Sequence, residues 1–375
     1  ALVPSMGMFA LDAVATTGFA GTDASASDLA VQGDGKIVTA GSTSSGSIVL
    51  ARHNADGTRD TTFSVDGKLT TNINDFISGV PGPEPATGNA NAIALQSDGK
   101  ILVAGSVSAV HQGGDTTTSF VTIRYNTDGR LDTSFADDGV QITDFGGNER
   151  AFANAIAIQA DGKIVVVGRG ELDTAFAAAR YNTDGTLDTS FSGDGKQTTD
   201  LGLGGDGGGS EATGVVVHGD GTITLSGNAG GGDDGEPYFA MLRYTSDGSL
   251  DTTFSGDGTL TEMMGQAEEY ARSNDMAVQA DGKLVVVGVT SDCACSYITL
   301  VRYNTDGTRD TSFSGDGMQQ VSATPTIGYD EGADVAIQAD GKIVVGGYAA
   351  GDDGSGDNMA VLRFLPGGAL DTTFS

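Results

Sequence analysis

The apolar positions of this chain alternate with a period of two and nowhere show the 3.6-residue spacing of an amphipathic helix. The stretch IAIQADGKIVVVG, from Ile156, sets the pattern. An alternating run enters an Asp-Gly turn and a β-branched run leaves it, which predicts a β-hairpin. The pattern recurs as LAVQGDGKIVTAG from Leu29, IALQSDGKILVAG from Ile93, VVVHGDGTITLSG from Val215, MAVQADGKLVVVG from Met276 and VAIQADGKIVVGG from Val335. The turn aspartates, Asp34, Asp98, Asp161, Asp220, Asp281 and Asp340, stand 64, 63, 59, 61 and 59 residues apart. A spacing this regular marks an internal repeat.

A second motif alternates with the first. It reads RYNTDGTLDTSF from Arg180, with close copies from Arg124, Arg243 and Arg302 and looser ones from Arg52 and Arg363. A third strand ends in it at another Asp-Gly turn, and a short fourth strand such as KQTT follows. Four short antiparallel strands per unit, six times over, predict an all-β fold: one six-bladed β-propeller of four-stranded blades spanning 1–375. The repeats fall at about 28–71, 91–143, 154–199, 213–262, 274–321 and 334–375. The last unit stops at LDTTFS, before an outer strand. Residues 8–16, within MFALDAVATT, are predicted to supply that strand and close the ring, which removes the free edges of a linear array.

The pairing of QxDGKIVVxG with RYNxDGxLDxSF resembles the delta-60 repeat family of bacterial β-propeller proteins, over nearly the whole chain. The resemblance implies a propeller and a secreted or surface-attached bacterial protein. It does not imply one activity, because propellers host many.

Within the second motif three residues keep fixed offsets. The arginines are Arg52, Arg124, Arg180, Arg243, Arg302 and Arg363; eight residues on stand Asp60, Asp132, Asp188, Asp251, Asp310 and Asp371; eleven on stand Phe63, Phe135, Phe191, Phe254, Phe313 and Phe374. An active site needs different residues converging on one point. A trio repeated in every unit reads instead as an Arg–Asp pair closing a turn, with the Phe filling the gap between blades.

Charge narrows the partners. With 50 acidic and 19 basic residues the net charge is −31. Such a surface repels nucleic acid and anionic lipid. No apolar run approaches the ~20 residues of a membrane-spanning helix. Much of the Asp is turn chemistry; salt adaptation and calcium binding are the other uses of so much acid. Cys293 and Cys295, two apart, either form a small bridge or stay free.

Ligand chemistry is expected in the loops that differ between repeats, on the face carrying the inter-blade and second-to-third-strand connections. Asp233, Asp234, Glu236, Asp352, Asp353 and Asp357 are the candidate metal ligands, for calcium, although the fold requires no cofactor. Glu171 and Glu211 are candidates for a glycoside-cleaving carboxylate pair. Tyr238, Tyr270, Tyr297, Tyr329 and Tyr348 could stack on sugars. Of three histidines, His53 takes the Tyr slot of its repeat and His218 the Gln slot; only His111 lies in a loop. The expected function is a non-catalytic extracellular binding or scaffold module engaging a glycan, a surface protein or copies of itself. The competing expectation is an extracellular glycan-active hydrolase or lyase with an acidic site.

Overall fold

Each Asp-Gly hairpin closes in the same way. In the first, the Gly35 amide donates to the Gln32 carbonyl and the Gln32 amide to that of Lys36, at 2.8 and 2.7 Å. Gly35 takes φ +81°, the left-handed step that glycine allows. The Asp34 carboxylate accepts the Lys36 amide. The computed structural model describes residues 15–77, 85–111, 115–146, 150–170, 175–202, 209–230, 238–264, 271–291, 295–322, 329–350 and 357–374.

The hairpins extend into six antiparallel sheets, each with its strands in chain order. Blade 1 is β1 (Ala24–Val31), β2 (Ile37–Thr43), β3 (Ile48–His53) and β4 (Lys68–Thr71). Blade 2 is β5 (Thr87–Leu95), β6 (Ile101–Val110), β7 (Thr116–Tyr125) and β8 (Val140–Thr143). Blade 3 is β9 (Phe152–Ile158), β10 (Ile164–Gly170), β11 (Ala175–Tyr181) and β12 (Lys196–Thr199). Blade 4 is β13 (Glu211–Val217), β14 (Ile223–Ala229), β15 (Tyr238–Tyr244) and β16 (Thr259–Glu262). Blade 5 is β17 (Ala271–Val278), β18 (Leu284–Ser291), β19 (Ser296–Tyr303) and β20 (Met318–Val321). Blade 6 has three described strands, β21 (Glu331–Ile337), β22 (Ile343–Ala350) and β23 (Asp357–Phe364). The fold is the six-bladed, all-β propeller that the repeats predict. The strand assigned to residues 8–16 falls mostly outside the described residues; Ala15 and Thr16, which are described, are not in a strand. Among the described residues no helix is long and apolar enough to cross a membrane.

The inner strands begin four to six residues earlier than the alternating runs in the sequence. The reason is a β-bulge. The register of β1 with β2 slips between Ala26 and Asp28, leaving Ser27 unpaired, and the same slip leaves out Asn91, Asn154, Thr213, Asn274 and Ala333. An extra residue breaks the period of two, so the alternation visible in sequence starts only after it. Opposite each bulge stands the last Gly of the hairpin motif: Gly41, Gly105, Gly168, Gly227, Gly288 or Gly347. A Cβ there would lie 1.8–2.0 Å from a facing backbone oxygen.

The bulge residue also reaches across to the next blade. The Asn91, Asn154 and Asn274 amides donate to the carbonyls of Ala153, Ala212 and Gly332, and the Thr213 hydroxyl to that of Ser273. Among the described residues five apolar clusters lie between blades, joining 1 to 2, 2 to 3, 3 to 4, 4 to 5 and 5 to 6. Burial between neighbouring sheets, rather than within one sheet, is where the core sits.

Candidate functional site

The repeated trio forms a joint between blades. Each Arg Nε donates to its Asp Oδ2 at 2.7–2.8 Å. The guanidinium lies over its own Phe, 4.6–4.9 Å from the ring centre. The Nη1 of Arg52, Arg124, Arg180, Arg243 and Arg302 donates to a turn carbonyl of the following blade, at Thr127, Thr183, Ser246, Thr305 and Pro366. The Phe then packs under the turn glycine of that blade, as Phe63 does beneath Gly129. The next residue, Ser64, Ala136, Ser192, Ser255 or Ser314, adopts φ of 49–55° and gives its amide to the same turn.

The two motifs are halves of this joint. Lys36, Lys100, Lys163, Lys283 and Lys342, from the hairpin turns, each reach the Asp Oδ2 of their own blade at 2.8–3.1 Å. Asp Oδ1 takes the amide and hydroxyl of the Ser or Thr two residues on, as at Ser190. Burial pulls the Asp188 carboxyl up, but the Ser190 bonds, Lys163 and Arg180 outweigh it and hold the group well below the usual range. Asp60, Asp132 and Asp310 are depressed by the same balance. In blade 4, Thr222 replaces the lysine and bonds Asp220 instead; Asp251 keeps only Thr253 and Arg243 against its burial, and is still depressed.

Outside the joints, a mixed aromatic and polar cluster lies on blade 6. Asp330 is buried, with Oδ1 accepting the Ala350 amide and Oδ2 the Ser322 hydroxyl, both at 3.0 Å. That anchors the connection into β21 and leaves the neighbouring Tyr329 74% exposed. Glu331 pairs with Tyr348 in the sheet register, and its Oε2 accepts the Tyr348 hydroxyl. Its Oε1 accepts the Asn274 amide from blade 5 at 2.7 Å. Tyr348 thus offers aromatic surface beside a carboxylate, and the exposed Tyr329 lies two residues before that carboxylate in the chain, a combination able to stack on a sugar ring and accept its hydroxyls.

The other sequence candidates are placed as follows. Glu211 begins β13, half-buried, opposite Asn228. Its intended partner Glu171 lies outside the described residues, as do Asp233, Asp234, Glu236, Asp352, Asp353, Tyr270 and Cys293. Asp357 begins β23. Among the described residues no group of three His, Cys, Asp or Glu is placed to hold a metal ion. Glu262 ends β16, where it accepts the Tyr303 hydroxyl and pairs with Arg309 at 2.6 Å. His53 and His218 bond Thr17 and Thr224.

Sequence reasoning passed over a set of inner-strand carboxylates just after the bulge. Asp28 Oδ2 accepts the Ile93 amide of blade 2 at 2.8 Å, and Asp275 Oδ2 the Val335 amide of blade 6 at 3.0 Å. Burial, with the neighbouring Asp334 carboxyl, pushes Asp275 well up. The signal was an acid inside an alternating apolar run, at a position where blades 2 to 4 carry Ala92, Ala155 and Gly214.

Six segments, residues 32–63, 96–135, 159–191, 218–254, 279–313 and 338–374, match the sequence model of a family described as a domain of unknown function (DUF5122) beta-propeller. No curated protein sequence matches the chain. Solved structures similar to it include a polysaccharide lyase, Uly1, covering 90% of this chain and 77% of its own at 11% identity and TM-score 0.49. A glucose dehydrogenase covers 90% and 98% at 11% identity and TM-score 0.46. An endo-arabinase from Bacteroides thetaiotaomicron covers 75% and 94% at 11% identity and TM-score 0.37.

Proposed function

The chain belongs to the DUF5122 β-propeller family, and from that premise we propose that it is a non-catalytic binding module of the bacterial cell exterior, of the delta-60 repeat kind, that holds a glycan on the loop face of blade 6. The observation that carries this reading is the Tyr348, Glu331 and Asn274 cluster, a polar group fixed in place by two blades, with the exposed Tyr329 two residues before Glu331 in the chain. A fixed site loses little conformational entropy on binding. The repeated Arg, Asp and Lys do not compete for this role, because in blades 1 to 5 they are engaged in joints between blades and in blade 6 Arg363 and Lys342 pair with Asp371.

The test is binding of the intact protein to an array of bacterial and plant polysaccharides, followed by titration of the best binder. Tyr329→Ala is expected to weaken that binding at least tenfold, about 1.4 kcal/mol, with an unchanged circular-dichroism spectrum and melting temperature. Undiminished binding by this variant removes the site from blade 6. Release of reducing or unsaturated ends from the bound polysaccharide makes the protein a glycan-active enzyme and overturns the non-catalytic reading. Binding confined to surface proteins or to copies of the chain overturns the choice of glycan.

A further inference from the structure

The inner strands carry carboxyls that neither the joints nor the candidate site uses. One residue after the bulge the six blades present Asp28, Ala92, Ala155, Gly214, Asp275 and Asp334. The side chain at this position aims at the inner strand of the next blade. Asp28 Oδ2 accepts the Ile93 amide and Asp275 Oδ2 the Val335 amide, at 2.8 and 3.0 Å. A Cβ on Gly214 would stand 3.0 Å from the Met276 amide nitrogen, in the same direction. The residue met across each interface is the one just before the bonded amide. Between blades 1 and 2, Asp28 meets Ala92. Between blades 5 and 6, Asp275 meets a second carboxyl, Asp334, within hydrogen-bonding reach.

The same interface lacks a bond at its other edge. The last residue of the outer strand is Thr71, Thr143, Thr199 or Glu262 in blades 1 to 4, and each bonds the tyrosine hydroxyl of the following blade. In blade 5 that residue is Val321, and blade 6 carries Phe364 in the tyrosine slot, so neither side has a hydroxyl to offer. Apart from the Arg302 joint and the apolar cluster, blade 6 is fastened to blade 5 through the inner strands: by Asn274, which donates to Glu331 and to the Gly332 carbonyl, and one residue on by the Asp275–Asp334 contact.

Two ionised carboxylates at this contact repel; with one proton between them they form a charge-assisted hydrogen bond. The surroundings supply no other compensation. On the strands packed against β17 and β21, β14 and β18 carry no charge. Arg243 and Arg302, on β15 and β19, are bound to Asp251 and Asp310. Glu331 is bound to Asn274 and Tyr348, Glu211 on β13 stands opposite Asn228, and Arg272 is exposed ahead of the bulge. The remaining neighbour is a third carboxyl, Asp28, which Asp334 repels. Asp275 is half-buried and Asp334 exposed, so Asp334 is free to turn toward solvent when the contact breaks. We propose that Asp275 and Asp334 share one proton and form a pH-dependent latch between blades 5 and 6, closed while the proton is held and released when it leaves. Burial and the Asp334 contact raise the Asp275 carboxyl well above its unfolded value of 3.8. A raised carboxyl contributes stability that is complete below that value and is lost as the pH rises through the folded titration. The latch runs opposite to the six joint aspartates, and it shows in local opening of β21 rather than in global unfolding.

The test is hydrogen exchange of the intact protein at pH 5 and pH 8, corrected for the intrinsic pH dependence of exchange. Protection of the Val335 amide is expected to fall at least tenfold over that range, and that of the Ile93 amide, held by Asp28 beside Ala92, less than threefold. Asp275→Asn reproduces the protonated state, since its carbonyl can accept from Val335 while its amide donates to Asp334. Val335 in this variant is expected to be at least tenfold better protected at pH 8 than in the unsubstituted protein. Asp334→Ala, at an exposed position, is expected to flatten the profile because no second carboxylate remains. Flat Val335 protection in the unsubstituted protein overturns the latch, and so does an undiminished fall in Asp334→Ala. An equal fall at Ile93 makes the effect a general loosening of the ring and overturns it as well.

Discussion

At Gly168 a methyl group would lie 1.8 Å from the carbonyl oxygen of Phe152, in backbone that cannot yield without opening the bulge. Gly168→Ala is therefore expected to destabilise the protein by about 3 kcal/mol, in the range of overpacked cores, read as a lower midpoint in urea. Gly193 is the control. It has φ +88° and nothing within 4 Å, so Gly193→Ala should cost only the ~1–2 kcal/mol of a left-handed residue. Asp188 shows the electrostatic counterpart. Removing its carboxylate leaves the buried Arg180 and the Lys163 ammonium facing one another. Asp188→Ala is expected to cost about 3–5 kcal/mol, with glycan binding per folded molecule unchanged. An unchanged unfolding midpoint would remove the joint from the list of what holds the fold.

At the scale of the blade, the fourth repeat is a natural deletion of one joint member. Thr222 stands where five blades carry lysine. Thr222→Lys should place an ammonium beside Asp251 and raise stability by up to about 1 kcal/mol, the ordinary worth of a half-exposed pair; a fall in melting temperature would show that the Thr222–Asp220 bond matters more. The blade was largely legible in sequence, because period-two alternation and Asp-Gly turns are local signals. The bulge was not, since its extra residue erases that alternation, and Ser27, Asn91 or Asn154 read as the residue before a strand rather than as part of one. The Lys–Asp link escaped for another reason. Lys163 and Asp188 are far apart in the chain, and only the folded hairpin makes them neighbours. For the candidate site, Tyr329 and Tyr348 could be picked out as aromatic residues in variable loops. Their grouping with Glu331 and Asn274 depends on cross-strand register and on contact with blade 5, which composition does not encode.

At the scale of the whole molecule, the joints act together under acid. Hydrogen bonds and neighbouring cations hold Asp60, Asp132, Asp188, Asp251, Asp310 and Asp371 below their ordinary value in the folded state. A depressed carboxyl contributes stability that is complete above its unfolded pKa of 3.8 and is lost as the pH falls toward the folded value. Asp28 and Asp275, raised by burial, run the other way, and their unfavourable contributions fade on acidification; they are two groups against six. Thermal stability is expected to hold from neutrality to about pH 4 and to drop steeply below it. A melting temperature flat from pH 6 down to pH 2 would contradict this.

Every joint points the same way. In blades 1 to 5 the arginine serves the turn of the next blade, so the contact is heterologous, like that between subunits in a head-to-tail ring. A unit that carries both the donor and the acceptor of its own fastening can be copied in tandem without redesign of either. Each interface repeats the one before it, so the number of units is not written into any single joint.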